Sequence, residues 1–293
     1  MDDICFVEQM SRGAAIFLSV WLSLTCLVAV AGNTVVLWLF CTHETLRTIS
    51  NRFIASLSAA DFLVGLVISP VWIVVRCYVQ PPETHAMANV LDMLWIHTTA
   101  ATTFNLCCVT VDRFIAIRFP FRYQLILTKK ICHSLIIFAW LTSLLLPLPL
   151  IFLDVEKLWL SLSVLTFLVP TTVVTFCYFW IFKAARKQIK RITFETSNEH
   201  NTARRTKQNY KALKTVGLVL GVFIVTWMPC LVVSILHQFT AKDLCLDQKY
   251  YISVWPWIEA IAFTSSSINP WIYCFRNSEF RDVLHRRFHW FPS

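Results

Sequence analysis

The sequence predicts an all-α membrane protein: a seven-transmembrane helix bundle followed by a short amphipathic C-terminal helix. Three observations predict it. The chain is 57% hydrophobic and only 15% charged, where a soluble domain carries roughly 25% charged residues. Its apolar residues gather in seven stretches of membrane length, without the apolar–polar alternation of a barrel strand. Its basic residues fall almost entirely into alternate gaps between those stretches, as crossing helices require. The 12 Trp and 23 Phe supply interfacial belts and helix packing.

The first stretch, residues 14–40, follows a polar, mildly acidic N-terminal segment (1–13). It is too long for a signal-peptide core, so the helix itself is expected to act as the targeting signal. The second, 53–76, lies between Arg52 and Arg76, and the third, 87–117, runs to Arg118. The fourth, 131–153, follows Lys129 and Lys130; the fifth, 158–182, lies between Lys157 and Lys183. The sixth, 213–238, emerges from a strongly basic connection, and the seventh, 251–275, stops against Arg276. Each reaches the ~20 residues that a helix needs to cross the hydrocarbon core. The bundle therefore occupies 14–275, and 276–293 forms the amphipathic helix and tail.

Orientation follows from the basic residues. Arg47, Arg52, Arg113, Arg118, Arg122, Lys129, Lys130, the cluster between 183 and 214, and Arg276, Arg281, Arg286 and Arg287 share one side. Only Arg12, Arg76, Lys157, Lys242 and Lys249 remain for the other. The expected location is the plasma membrane, with the N-terminus extracellular and the C-terminus cytoplasmic. The formal charge of +9 is thus a topology signal, and no nucleic-acid partner is expected. No Asn-x-Ser/Thr sequon occurs. Of the 11 Cys, only Cys5, Cys77 and Cys245 are placed to face an oxidising exterior. A Cys5–Cys245 bridge is one of three pairings left open.

Polar residues inside the bilayer each call for a partner. Asn33, Asp61, Thr102, Asn105, Ser265, Ser266 and Asn269 interrupt the apolar stretches. Clustered, they hold a proton or a small cation such as sodium near Asp61, or else form a hydrogen-bond network that staples helices together. Pro270 removes a helix hydrogen bond that lipid cannot replace, and Asn269 is the nearest candidate to satisfy the freed carbonyl. Asp112-Arg113-Phe114 closes the third stretch at the cytoplasmic boundary, where Arg113 can pair with Asp112 in one state and release it in another. Trp227 and Pro229 place a second proline break in the sixth stretch, able to swing the basic foot around Lys211.

These marks occur in one order: Gly32-Asn33, Leu57-Ser58-Ala59-Ala60-Asp61, Asp112-Arg113-Phe114, Trp140, Pro170 with Tyr178, Phe223-x-x-x-Trp227-x-Pro229 and Asn269-Pro270-x-x-Tyr273. Together they resemble the rhodopsin-like (class A) G-protein-coupled receptors over nearly the whole chain. The resemblance implies a receptor whose extracellular ligand biases Trp227 and the helix-six hinge. Arg113 then leaves Asp112, Tyr178 and Tyr273 move inward, and a cleft opens for a heterotrimeric G protein. Arrestin, a receptor kinase and membrane lipids are the further partners it implies.

The chain departs from the family pattern in instructive places. The family's usual disulfide has no Cys at His85-Ala86-Met87-Ala88-Asn89 and none in Asp154-Val155-Glu156-Lys157. That resembles the melanocortin, cannabinoid and lysophospholipid branch, whereas 112–127 and 211–229 resemble amine and adenosine receptors. The acid by which amine receptors hold an ammonium aligns with Trp95. The inner acid that often restrains Arg113 aligns with Asn209, which suggests raised basal activity. The candidate ligand site comprises Trp72, Asp92, Trp95, Thr98, Thr99, Trp227, Cys230, Ser234, Trp257, Glu259 and Phe263. Glu259 is read as a cation anchor or as the partner of Arg76 or an outer-loop Lys. A small, partly apolar, amine-like ligand fits best, with a peptide or lipid as the alternative.

Other classes fit less well. A retinal photoreceptor needs a helix-seven lysine, but the aligning position is Phe263 and no Lys lies within 251–275. A transporter or channel would show repeated halves with matching broken helices, and none is evident. An enzyme is not expected, because no metal-ligand spacing and no nucleophile–base set stands out.

Overall fold

The computed structural model describes residues 10–78, 84–153, 155–195, 218, 221–237 and 250–288. Every regular element among them is helical. Helix one spans Arg12–Thr42 and helix two Ile49–Cys77. Helix three is Thr84–Arg118 and helix four Lys129–Leu145. Helix five begins at Val155 and continues to Glu195, well past the apolar stretch. Helix six is described over Gly221–His237, helix seven over Trp255–Arg276, and helix eight over Ser278–Phe288. Five of the described helices, the first five, are individually long and apolar enough to cross a membrane.

Local chemistry sets the helix starts. Ser11, Thr48 and Thr128 each accept a hydrogen bond from the backbone N–H three residues on, capping helices one, two and four. Helix two therefore begins before Arg52, with polar Ser50 and Asn51 in its first turn. Helix four ends earlier than the apolar stretch, because Pro147 and Pro149 cannot continue the ladder and a short 3₁₀ turn, Leu148–Ile151, follows.

Prolines account for three wide turns. Pro70, Pro170 and Pro256 each stand two residues beyond a π turn, at Val64–Ile68, Val164–Leu168 and Tyr250–Val254 respectively. A prolyl ring donates no hydrogen bond and pushes against the carbonyl four residues earlier. That carbonyl (Leu66, Thr166 or Ile252) lies inside the wide turn in each case. Nearby side chains take up carbonyls in the first of these turns: Ser69 Oγ donates to Val64 at 2.9 Å and Cys26 Sγ to Gly65 at 2.7 Å.

Helix three packs against helices two, four and five, and helix one against helices two and seven. Trp140 Nε1 donates to Ser56 Oγ at 3.0 Å, and Ser56 donates to Asn105 Oδ1 at 2.6 Å, tying helices four, two and three together. A Cβ on Gly32 would sit 2.9 Å from Pro270 Cβ, so only glycine lets helix one meet helix seven this closely. Large apolar side chains point away from the bundle; Leu27, Phe138 and Val225 are each about two-thirds exposed. Such an outer surface suits lipid and not water.

Candidate functional site

Three polar centres lie along the bundle. The middle one is built on Asp61, which is fully buried. Its Oδ1 accepts from Ser266 Oγ at 2.8 Å and its Oδ2 from Asn269 Nδ2 at 2.7 Å. Asn33 Nδ2 donates to the Ser266 carbonyl at 3.1 Å and to its own helix at Ala29, at 2.9 Å. The Ser266 carbonyl is the one that Pro270 frees, so its partner is Asn33 from helix one and not Asn269, as proximity in sequence suggested. Asn269 is committed to Asp61 instead. Thr102 is buried beside the carboxylate. Asn105 pairs with Ser56, and Ser265 donates to the Ala262 carbonyl of its own helix at 2.7 Å. Those two residues therefore stand outside the Asp61 centre.

The second centre lies at the end of the bundle that carries Glu259. This carboxylate is also fully buried. Trp72 Nε1 donates to its Oε2 at 2.6 Å, while Arg76 Nη2 stands 3.6 Å from Oε1. Trp72 and Arg76 are four residues apart on helix two, so both project from one face onto the same group. Arg76 Nη2 also lies 3.9 Å from Asp92 Oδ1. One guanidinium thus serves two carboxylates, and Glu259 has Arg76 as its ion-pair partner. Around them, Trp95 meets Phe263 edge-on at 5.1 Å and Trp255 at 6.3 Å; Trp255 meets Trp159 at 5.3 Å. Trp227 packs against Phe167 at 6.0 Å.

The remaining candidates are placed unevenly. Thr98 turns its hydroxyl back to the Leu94 carbonyl, Thr99 is buried, and Cys230 and Ser234 are buried on helix six. Trp257 faces outward, 39% exposed and tilted against Phe17 of helix one at 5.7 Å, which sets it apart from the inward-facing rings. Trp255 and Trp159 line this end although the candidate set did not include them, and Arg76, read from the sequence as one alternative partner of Glu259, is its ion-pair partner here.

The third centre surrounds Asp112 at the opposite end. Tyr123 Oη donates to Asp112 Oδ1 at 2.6 Å and Ser50 Oγ to Oδ2 at 2.5 Å. Arg113 Nε stands 3.8 Å from Oδ2, with 43% of its side chain exposed. Two hydroxyls therefore occupy the carboxylate more tightly than the neighbouring arginine does. Burial, then the bond to Asp112, pushes the Tyr123 phenol up to about 12, so it stays a donor across the physiological range. Phe114 packs between Phe119 and Phe176, and Tyr178 is buried beside Thr110 and Arg113. Asn51 on helix two bonds Glu279 and Asn277, fixing the start of helix eight. Ser50, Asn51 and Tyr123 escaped the sequence reading because each looks like an ordinary boundary residue. Pro229 lies inside helix six and Pro270 inside helix seven. Lys211, Asn209, Cys5 and Cys245 lie outside the described residues, and the Tyr273 side chain lies outside the described side chains.

The sequence pattern of the family described as "7 transmembrane receptor (rhodopsin family)" matches residues 32–158 and 154–273. Among curated proteins, the chain is 27% identical to the histamine H2 receptor of Rattus norvegicus, over 97% of this chain and 82% of that protein. It is 26% identical to the octopamine receptor beta-2R of Chilo suppressalis, over 90% and 77% of the two chains. It is 27% identical to trace amine-associated receptor 7d of Mus musculus, over 96% and 84%.

Proposed function

Because the chain belongs to the rhodopsin family of seven-transmembrane receptors, we propose that it binds a small amine-like ligand at its Glu259 end and answers by activating a heterotrimeric G protein at its Arg113 end. It is a membrane receptor and not an enzyme. The ligand class rests on one observation above others: two carboxylates, Glu259 and Asp92, share the single guanidinium of Arg76. With both ionised, the three groups sum to one negative charge, which favours a cation. The relatives named for histamine, octopamine and trace amines support the same class.

The Glu259 end faces outside in this reading, because Lys and Arg concentrate at the Arg113 end. The plasma membrane is the corresponding location. Ligand binding shifts a two-state equilibrium and must favour one state; moving it from 1:99 to 99:1 takes about 5.5 kcal/mol of differential affinity. Trp227 and Pro229 form the pivot through which helix six moves. Arg113, held to Asp112 only at 3.8 Å, is the group released toward the G protein. Arrestin, a receptor kinase and membrane lipids complete the proposed partners.

The Asp61 centre suits a sodium ion or a proton. Its atoms are oxygens of the kind hard cations prefer. The buried Oδ1 of Asn33 has no hydrogen-bond partner among the described residues. Asp61, Ser266, Thr102 and Asn33 would hold the ion, which supplies a positive charge that offsets a buried carboxylate. Replacing sodium by N-methylglucamine is expected to change agonist affinity several-fold in the native chain and not in Asp61→Asn; equal salt dependence in both would contradict the assignment.

The functional reading is tested by expressing the chain in cells with a G-protein readout and applying an amine library beside neutral isosteres. At least one amine raises signalling above receptor-free cells. Responses confined to neutral lipids or peptides would overturn the ligand class.

A further inference from the structure

The rings at the Glu259 end form a row, and buried polar atoms that lack a hydrogen-bond partner among the described residues stand toward its Trp255 and Trp159 members. Phe263, Trp95, Trp255 and Trp159 follow one another with centroid separations of 5.1, 6.3 and 5.3 Å. Glu259, 0% exposed, stands beside Trp255, and its Oε1 has no hydrogen bond of ordinary length among the described residues. Its 3.6 Å contact with Arg76 exceeds hydrogen-bond range. One ring further on, Trp159 Nε1 is buried without a partner among the described residues, as is Ser234 Oγ, 1% exposed.

Ser234 belongs with this row by helical spacing. Cys230, Ser234 and His237 recur at intervals of four and three on helix six, hence on one face. Cys230 lies close enough to Glu259 to feel its charge, and the His237 ring is 6.3 Å from Trp159. Buried polar atoms normally find partners. Here, among the described residues, a carboxylate oxygen is left beside Trp255, and an indole N–H with a hydroxyl lies beyond it.

Building on the amine-receptor reading above, we propose that the Trp255–Trp159 part of this row is a two-pole bed for an arylalkylammonium ligand. The ammonium takes Glu259 Oε1 from Arg76, and a hydrogen-bonding group on the ligand's far end meets Ser234 and Trp159. The cation anchor is therefore on helix seven, while the helix-three position gives Trp95, whose ring face attracts the same ammonium. Arg76 is a built-in competitor. Neutralising it removes the competing charge and leaves Asp92 to reinforce the anchor.

The test uses the full chain in lipid nanodiscs with 2-phenylethylammonium, its 4-hydroxy derivative and neutral 2-phenylethanol, reading tryptophan fluorescence and the thermal midpoint. Both amines bind at least tenfold more tightly than the alcohol. Glu259→Gln abolishes that preference, Arg76→Gln tightens amine binding several-fold, and Ser234→Ala weakens only the hydroxylated amine. An amine preference that survives Glu259→Gln overturns the proposal, as does weaker amine binding in Arg76→Gln or no binding to either protein. If Glu259→Gln fails to fold, the Arg76→Gln result decides alone. Nucleotide exchange on a G protein separates the two readings. Amines that bind through Glu259 without driving exchange defeat the receptor reading only, and exchange indifferent to both substitutions defeats the two-pole bed only.

Discussion

Asn33 and Tyr123 work as single donors on which larger arrangements depend. The amide of Asn33 meets a carbonyl that Pro270 has deprived of its helix partner, in a medium where no water can substitute. Asn33→Ala leaves that carbonyl exposed to the interior and is expected to cost about 1–3 kcal/mol, read as a lower thermal midpoint in detergent or nanodiscs. The sequence made the grouping of Asp61, Ser266 and Asn269 legible, because each is a costly polar residue in an apolar stretch. It did not reveal the pairing, because Asn33 lies 233 residues from Ser266 and Asn269 is only one residue from the proline. Tyr123 presents the other case. Its phenol and Ser50 occupy both oxygens of Asp112 and so weaken its hold on Arg113. Tyr123→Phe frees one oxygen for the arginine and is expected to lower ligand-independent nucleotide exchange several-fold; unchanged or higher exchange would contradict this. The phenol's raised pKa means its neutral form is favoured in the fold. Its contribution is intact below its ordinary value near 10 and fades only as pH rises through about 12. The basal exchange is therefore expected to show no Tyr123-dependent step between pH 6 and about 9.

Pro70 of helix two, Pro170 of helix five and Pro256 of helix seven each follow a widened turn, and this sets which side chains face the Glu259 end. A π turn holds one residue more than an α turn, and one residue is about 100° of rotation. Deleting Leu66, an outward-facing residue of the first wide turn, closes the turn and preserves the facing of Trp72 and Arg76. That variant is expected to retain ligand response within a few-fold. Deleting Ile73, beyond the turn, rotates Arg76 by about 100° away from Glu259 and is expected to abolish the response, measured at equal surface expression. The apolar stretches of the chain announced their helices, because length and hydropathy suffice for that. Wide turns were not legible, since an extra residue leaves the composition unchanged and only the positions of Pro70, Pro170 and Pro256 hint at it. Gly32 makes a related point: Gly32→Val is expected to lower the thermal midpoint by forcing helix one off Pro270, with no change in any polar group.

At the scale of the molecule, the bundle presents apolar side chains to lipid and keeps charge for three interior centres. Membership in the rhodopsin family was legible because its marks are residues whose chemistry is expensive in a membrane: an aspartate, an arginine at a boundary and interior prolines. The Glu259 end was less legible, because bulky rings in a bundle serve packing and binding alike, and composition does not reveal which way each ring faces. Trp257 turns outward and Trp255 inward only two residues apart. What joins the centres is a helix bundle whose Arg113 stands 3.8 Å from Asp112 and whose sixth and seventh helices contain Pro229 and Pro270. The most direct measurement is GDP release from purified heterotrimeric G proteins by the chain reconstituted in lipid, with and without arylalkylamines. Faster release with an amine, on at least one Gα subunit, is the result expected. No acceleration on any Gα subunit, together with substrate flux through the same reconstituted protein, would contradict the account.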